Sequence, residues 1–286
     1  MPISFGQQLS RAFEKYGQLC VGIDPHAALL EEWGLDDNIS GLETFANTVL
    51  DNAVGRVGII KPQVSFFERH GSAGFAVLER LSVRASETDL VVIMDAKRGD
   101  IGSTMDGYFD AWLGKSAPFI SSALTVSPYL GFDSLNDVMS NALERGKGLF
   151  VLAATSNPEG KALQTAEVIG GATLAADIWA RLAKTNGVTS SAAVSLGSFG
   201  AVVGATLDLR SVGLRLDEPT GASLAPILAP GFGAQGAELA DAKRLFGSAS
   251  NQLIASVSRS VLKAGSRGIA SAIEASTNEL ALALGK

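Results

Sequence analysis

The sequence predicts an α/β protein built as a single (β/α)8 barrel, and three observations support this fold. Short apolar segments alternate with longer amphipathic segments along the chain. The apolar segments contain few polar residues, as expected of strands that are buried on both faces of a parallel sheet. Eight such segments fit into 286 residues, which favours a closed barrel over the alternative, a doubly wound open sheet.

The elements follow one another in chain order. Phe5, Leu9, Phe13 and Tyr16 recur at helical spacing, which predicts an amphipathic helix within residues 1–18. Strands are predicted at 19–24, 57–61, 90–95, 119–126, 148–153, 199–205, 225–229 and 252–257. Helices are predicted near 41–54, 72–85, 102–114, 133–145, 171–186, 236–246 and 268–284, with a short helical turn near 207–215. No linker rich in Pro, Ser or charge interrupts this pattern, so we expect one domain over 1–286.

Composition excludes several classes of function. The net charge is -6 and the pI is near 5.0, so the chain carries no general attraction for nucleic acid or anionic membrane. No apolar stretch approaches the roughly 20 residues that span a bilayer. The single cysteine, Cys20, lies in an apolar segment and is expected to be buried. We therefore expect a cytoplasmic protein from a reducing compartment.

Charged residues follow three successive predicted strands. The first strand ends at Asp24, the second at Lys61, and the third at Asp95 and Lys97, with Asp100 beyond Gly99. Chemistry in a barrel of this type lies at the carboxyl ends of its strands. Residues two apart on a strand share a face, so Asp95 and Lys97 are expected to point together into the barrel mouth. The alternative is an ordinary ion pair that caps the strand.

Alternating Asp and Lys side chains suit a decarboxylation. Each ammonium keeps its neighbouring carboxylates ionised, and each carboxylate keeps the lysines protonated. A substrate carboxylate placed beside Asp95 would be repelled, and loss of CO2 would relieve this repulsion. The carbanion that remains would be stabilised and protonated by Lys97, so no cofactor is required. No His, Cys or acidic cluster has the spacing of a zinc or EF-hand site.

A second cluster of residues predicts a phosphate site. The segment after the seventh predicted strand runs from Pro230 through Gln235 to Glu238 and has glycines at 231, 233 and 236. Such a turn can direct backbone N–H groups at an anion, and a helix predicted to begin near Gly236 would add its dipole. Arg259, after the eighth strand, can make a bidentate contact to phosphate. A turn that merely needs positive φ angles is the alternative.

The segment DAKRGDIGST at 95–104 resembles the signature of the orotidine 5'-phosphate decarboxylase family, in its longer bacterial subgroup of mycobacterial type. Supporting segments occur in the expected order: VGIDPH at 21–26, IIKPQVSFFERHG at 59–71, TVSPYLG at 125–131, TSNPEG at 155–160 and PGFGAQGA at 230–237. The resemblance implies decarboxylation of orotidine 5'-phosphate to UMP without metal or cofactor, as the final step of de novo UMP synthesis.

The resemblance also implies a role for each matching residue. In the catalytic network, Lys97 would protonate the C6 carbanion, Asp95 would lie next to the substrate carboxylate, and Lys61 would contact the sugar. Asp100 and Thr104 would reach into the active site of the partner subunit, which implies a homodimer. The remaining roles concern binding: Asp24 for ribose hydroxyls, Ser156 for the pyrimidine, Gln235 and Arg259 for the phosphate, and Pro230 at the start of the closing loop.

Two residues depart from the family pattern, and three other functions are alternatives. Ser127 stands where Asn is expected, a change of little consequence, and Ser258 stands where Gly is expected beside the phosphate, so its side chain would lie where the backbone could otherwise approach. A related metal-dependent sugar-phosphate decarboxylase or aldolase would need an acidic residue on the second strand, where this chain has Lys61. A non-catalytic phosphate-binding barrel would lack the charged network. A Schiff-base enzyme would need a depressed lysine pKa, which flanking Asp95 and Asp100 disfavour.

Overall fold

The computed structural model describes residues 2–189, 195–216 and 223–286. Its parallel strands close into a barrel in which each strand pairs with its neighbours in sequence and the last pairs with the first. We label the barrel strands in chain order: β1 Leu19–Ile23, β2 Ile59–Pro62, β3 Val91–Arg98, β4 Ala123–Val126, β5 Gly148–Ala154, β6 Phe199–Val203, β7 Ile227–Pro230 and β8 Leu253–Val257. Two short strands, Ser195–Leu196 and Ser223–Leu224, form a separate parallel pair.

Helices surround the barrel. The α-helices are Phe5–Tyr16, Ala27–Glu32, Ile39–Ala53, Ser65–Glu68, Gly71–Ser86, Gly102–Leu113, Asn136–Glu144, Lys161–Gln164, Leu174–Thr189, Ala242–Phe246, Arg259–Leu262 and Gly265–Leu284. Single turns of 3-10 helix cover Phe132–Leu135, Pro158–Gly160, Leu209–Val212 and Leu239–Asp241, and a longer one covers Gly247–Gln252. The apolar faces of these helices and the outward side chains of the strands form the larger core.

The N-terminal helix closes the bottom of the barrel. Ser4 and Gln7 form a reciprocal capping box that begins this helix at Phe5. Phe5 and Leu9 are fully buried and pack against inward-facing residues of the strands, including Phe150, whose ring meets that of Phe5 edge to face. With this end filled by apolar side chains, the opposite end, where the strands terminate, is left for polar residues.

The predicted barrel is confirmed, and so are its eight strands in position and order. The closed ring excludes the doubly wound sheet. The largest differences from the predicted boundaries occur at two elements. The fourth strand begins at Ala123 rather than 119, because Phe119 instead stacks on Trp112 outside the sheet. The helix predicted from Gly236 begins at Ala242, because Gly236 lies in a turn at φ 109°. Among the described residues, no helix is long and apolar enough to cross a membrane.

Candidate active site

The inward-facing side chains of β2 and β3 are apolar near the start of each strand and charged near its carboxyl end. On β2, Ile59 belongs to the inner apolar cluster, which is formed by inward-facing strand side chains and the N-terminal helix. Lys61 follows two residues later on the same face. On β3, Ile93 belongs to that cluster, and Asp95 follows it. Because side chains two apart share a face, the strand period directs both Lys61 and Asp95 into the barrel.

Asp95 is the centre of the charged network. Its Oδ2 lies 2.9 Å from Nζ of Lys61, and its Oδ1 lies 2.6 Å from Nζ of Lys97. The side chains of Lys61 and Asp95 are only 7% and 10% exposed, whereas that of Lys97 is 44% exposed. The carboxylate is thus held between two ammonium groups, one buried and one facing the open end of the barrel.

These contacts keep the buried pair ionised. Burial alone would raise the pKa of Asp95, but the charges of Lys61 and Lys97 outweigh it and hold that pKa far below its usual range. Burial would likewise lower the pKa of Lys61, and the negative charges of Asp95 and Asp24 reverse this and raise it. Lys61 and Asp95 therefore both stay ionised throughout the neutral pH range.

A bulge near the end of β3 turns Lys97 toward Asp95. The β3–β4 pairing shifts between Met94 and Arg98, and Lys97 has φ 50°, the one positive φ among the described non-glycine residues. Thr125 on β4 accepts a hydrogen bond from the Lys97 amide at 2.9 Å and donates one to Oδ1 of Asp95 at 3.0 Å. Thr125 was missed in the sequence, although its inward position two residues after Ala123 follows from the strand period.

The network lines one wall of a cavity of about 270 Å³. This is near the lower end of the volumes usual for ligand sites, roughly 300–1,000 Å³. Most of the predicted site residues line it together: Asp24, Lys61, Asp95, Lys97, Ser156, Pro230, Gln235 and Arg259. Thr155 and Asn157, on either side of the predicted Ser156, lie on the same walls, as do Gln63 and Ser256, which were not predicted from the sequence. Gln63 could have been found, since it follows Lys61 by two positions on the same face.

Asp100 and Thr104 do not line this cavity. Asp100 is half-buried after the end of β3, where its Oδ1 accepts a hydrogen bond from the amide of Ile101 at 2.8 Å. Thr104 is exposed on the helix Gly102–Leu113. Ile101 between them is 60% exposed. Within one chain, the structure therefore separates these two predicted residues from the others.

The cavity extends from the charged network to the loops after β7 and β8. Gln235 lies in the glycine-rich turn, and Arg259 begins the short helix Arg259–Leu262 directly after β8. The prediction that the glycine amides of this turn point at an anion needs correction. The amides of Gly233 and Gly236 instead donate to carbonyl oxygens inside the turn. The helix predicted there also begins later. The side chains of Gln235 and Arg259 line the cavity at this end and can donate hydrogen bonds to an anion.

Two oxygen atoms on the cavity wall are buried without hydrogen-bond partners among the described residues. They are Oδ1 of Asp24 and Oγ of Ser258. A side chain at Gly22 would place its Cβ 3.1 Å from the first and 3.4 Å from the second, so both oxygens lie close to the same point. Buried polar atoms are rarely left unpaired. The pair is suited to hydrogen-bond a hydroxyl-bearing ligand.

A larger cavity, about 860 Å³, adjoins the site and shares Leu152, Thr155 and Asn157 with it. Its other walls come mainly from the segment after β4 and from residues 160–181, and they include Tyr129, Leu163 and Ile169. These three side chains are strongly exposed, at 74%, 48% and 106%. The segment 155–171, which follows β5, contributes to the site through Thr155, Ser156 and Asn157.

Comparisons with known proteins identify the family. A family model described as "Orotidine 5'-phosphate decarboxylase / HUMPS family" matches residues 17–273. The orotidine 5'-phosphate decarboxylase of Streptomyces coelicolor is 52% identical over 262 residues, 91% of this chain and 90% of that protein. That of Nocardioides sp. is 48% identical over 264 residues, 91% of this chain and 92% of that protein.

Solved structures agree with these relatives. A structure from Streptomyces avermitilis, provisionally named as the same enzyme, superimposes with a TM-score of 0.91 at 49% identity, covering 99% of this chain and 97% of that one. The orotidine monophosphate decarboxylase of Leishmania donovani superimposes with a TM-score of 0.78 at 26% identity, covering 99% and 100% of the two chains. The resemblance in the sequence is thereby confirmed, and the chain belongs to the orotidine 5'-phosphate decarboxylase family.

Proposed function

We propose that this enzyme converts orotidine 5'-phosphate to UMP and CO2. The observation that carries the proposal is the position of Asp95, buried between the ammonium groups of Lys61 and Lys97 on one wall of a cavity. Arg259 lines the same cavity, at the loop after β8. A ligand with a reactive anionic ring at one end and a phosphate at the other matches this distribution of charge.

The reaction follows from the charges. The substrate carboxylate sits beside Asp95, where two negative groups repel each other. The bond between C6 and the carboxylate carbon breaks, CO2 leaves, and the electron pair remains on C6. The Lys97 ammonium stabilises this carbanion and transfers a proton to C6, which yields UMP. Lys97 is 44% exposed, so its neutral amine can recover a proton from solvent.

The remaining cavity residues bind the rest of the substrate. Asp24 accepts hydrogen bonds from ribose hydroxyls, an assignment supported by its unpaired Oδ1. Lys61 contacts the sugar and holds Asp95 in place. Ser156 binds the pyrimidine, Gln235 and Arg259 bind the phosphate, and Pro230 begins the loop that closes over it.

We further propose that the active enzyme is a homodimer in which Asp100 and Thr104 act in the partner subunit's site. Neither residue lines the cavity of its own chain. Both follow β3 and are at least partly exposed at the surface of the protein. Ile101, Tyr129 and Leu130 are large apolar side chains at the ends of β3 and β4, exposed by 60%, 74% and 54%. A second copy that covered them would bring its Asp100 toward Lys97.

A cytoplasmic location remains a prediction.

No metal or cofactor enters the proposed reaction. The described residues contain no group of three or more His, Cys, Asp or Glu side chains arranged to hold a metal. The rival metal-dependent decarboxylase or aldolase has no observation in its favour, because β2 carries Lys61 where that reading needs a carboxylate.

A spectrophotometric assay of orotidine 5'-phosphate turnover tests the proposal. We expect full activity in the presence of EDTA, and a kcat reduced by about 10²–10⁴-fold or more in Lys97→Ala. Lys115→Ala, in the loop before β4 at the opposite end of the barrel, is the matched control and should retain wild-type activity. An inactive wild type would refute the function, loss of activity with EDTA would refute the metal-free reaction, and an active Lys97→Ala would refute the role of Lys97.

A further inference from the structure

Thr125 is buried on β4, and its hydroxyl joins two functional residues of β3. The hydroxyl donates to Oδ1 of Asp95 at 3.0 Å and accepts from the amide of Lys97 at 2.9 Å, and the residue is fully buried. We infer that Thr125 is a positioning residue that sets the relative geometry of Asp95 and Lys97. This inference rests on the proposed function, because it concerns the same reaction.

The backbone of β3 needs this hydroxyl because it leaves the regular ladder. Met94 pairs with Leu124 and Arg98 with Val126, so three residues of β3 stand opposite Thr125 alone. Within this irregular stretch, the Lys97 amide donates to the Thr125 hydroxyl at 2.9 Å. A buried amide without an acceptor is costly. The hydroxyl thus stabilises the bulge in which Lys97 adopts its positive φ.

The same hydroxyl orients the Asp95 carboxylate. Oδ2 faces Lys61 at 2.9 Å, while Oδ1 receives both Lys97 Nζ at 2.6 Å and the Thr125 hydroxyl at 3.0 Å. Because the hydrogen bond from Thr125 comes from the neighbouring strand, it fixes the plane of the Asp95 carboxylate. In this orientation Oδ2 faces Lys61 and Oδ1 faces Lys97. Rotation of this plane would move Lys97 relative to the substrate carbon.

A hydroxyl is suited to this position because it donates and accepts at the same time. Thr125→Val keeps the shape of the side chain but removes both hydrogen bonds, leaving the Lys97 amide and a carboxylate lone pair unpaired. Thr125→Ser keeps both bonds and removes only a methyl group. The two variants therefore separate hydrogen bonding from packing.

The test measures kcat and KM for orotidine 5'-phosphate, the Kd for UMP, and Tm. We expect Thr125→Val to lower kcat by about 10- to 100-fold, as for loss of a hydrogen bond to a charged group. Its KM and Kd should stay within about threefold of wild type, because the binding residues are untouched. Thr125→Ser should recover kcat to within about threefold. Leu124→Val, buried on the opposite face of β4, is the control for destabilisation of the strand and should keep wild-type kcat.

Several results would overturn the inference. They are a wild-type kcat in Thr125→Val, a kcat in Thr125→Ser as low as that in Thr125→Val, and an equal loss of kcat in Leu124→Val. Absence of turnover by the wild type would overturn the proposed function and this inference with it. An active wild type together with an equally active Thr125→Val would overturn the inference alone.

Discussion

Lys61 and Asp95 form a buried ion pair between adjacent barrel strands, with Nζ 2.9 Å from Oδ2. The Lys61 side chain is 7% exposed and that of Asp95 is 10% exposed. Two buried charges lose their hydration, and such a pair often stabilises a protein no more than apolar residues of the same size would. Its presence at the cavity wall is therefore better explained by chemistry than by stability.

This ion pair predicts that a single substitution lowers the free energy of unfolding and that a second substitution restores most of it. Lys61→Met should lower the free energy of unfolding by about 3 kcal/mol, because it leaves the buried Asp95 with only the half-exposed Lys97 as a counterion. Lys61→Met combined with Asp95→Leu should recover most of that loss while remaining inactive. Urea unfolding followed by circular dichroism measures both. A double variant less stable than the single one would show that the pair itself stabilises the fold.

The same pair predicts how stability depends on pH. The pKa of Asp95 is lowered on folding, so its contribution is complete above the unfolded value of about 4 and is lost as pH falls through the folded value. The pKa of Lys61 is raised, so its contribution is complete below about 10.4 and is lost as pH rises through the folded value. The Tm difference between wild type and the double variant should be constant from about pH 5 to 9 and should fall outside this range. A change in that difference between pH 6 and 8 would contradict the assignment.

The proposed homodimer predicts complementation between two inactive variants. Lys97→Ala and Asp100→Ala are each expected to be inactive. If Asp100 acts across the interface, a mixed dimer contains one site with both defects and one site with neither. Random exchange of equal amounts would make half of the dimers mixed, so activity should return to about one quarter of the wild-type value. No recovery after confirmed subunit exchange would place Asp100 in the site of its own chain.

Arg259 should act on the phosphate alone. Arg259→Ala is expected to raise the Kd for UMP by about 10- to 100-fold, as for loss of a charge-assisted hydrogen bond, and to leave the Kd for uridine unchanged. Isothermal titration calorimetry measures both constants. Arg267→Ala, exposed on the C-terminal helix, is the control. Equal weakening of UMP and uridine would indicate that Arg259 shapes the cavity rather than binding phosphate.

Ser258 should contribute to substrate binding. Its Oγ is buried and has no partner among the described residues. We expect Ser258→Ala to raise KM by about 3- to 10-fold with kcat unchanged, because the lost hydrogen bond is made equally in the ground and transition states. Ser86→Ala, on an exposed helix face, is the control. An unchanged KM would show that the hydroxyl does not contact the substrate.

The sequence determined the barrel and most of the site because both depend on local periodicity. Apolar strands alternating with amphipathic helices are visible in any window of the chain, and the period of two places Lys61 and Asp95 inward at the strand ends. Gln235 and Arg259, which are predicted to bind phosphate, line the same cavity as Lys61 and Asp95, because both lie in loops that follow strands at the same end of the barrel. The predicted helix start at Gly236 was wrong, because Gly236 lies in a turn at φ 109° and the helix begins at Ala242.

Only the tertiary structure decided how these residues meet. The bulge that turns Lys97 toward Asp95 arises from the mismatch between β3 and β4, and Thr125 stabilises it from a strand nearly thirty positions away (28 residues from Lys97). The unpaired oxygens of Asp24 and Ser258 likewise come together because β1 and β8 close the ring. Sequence periodicity reports which face a side chain occupies, whereas register and closure between strands set its distance to a partner.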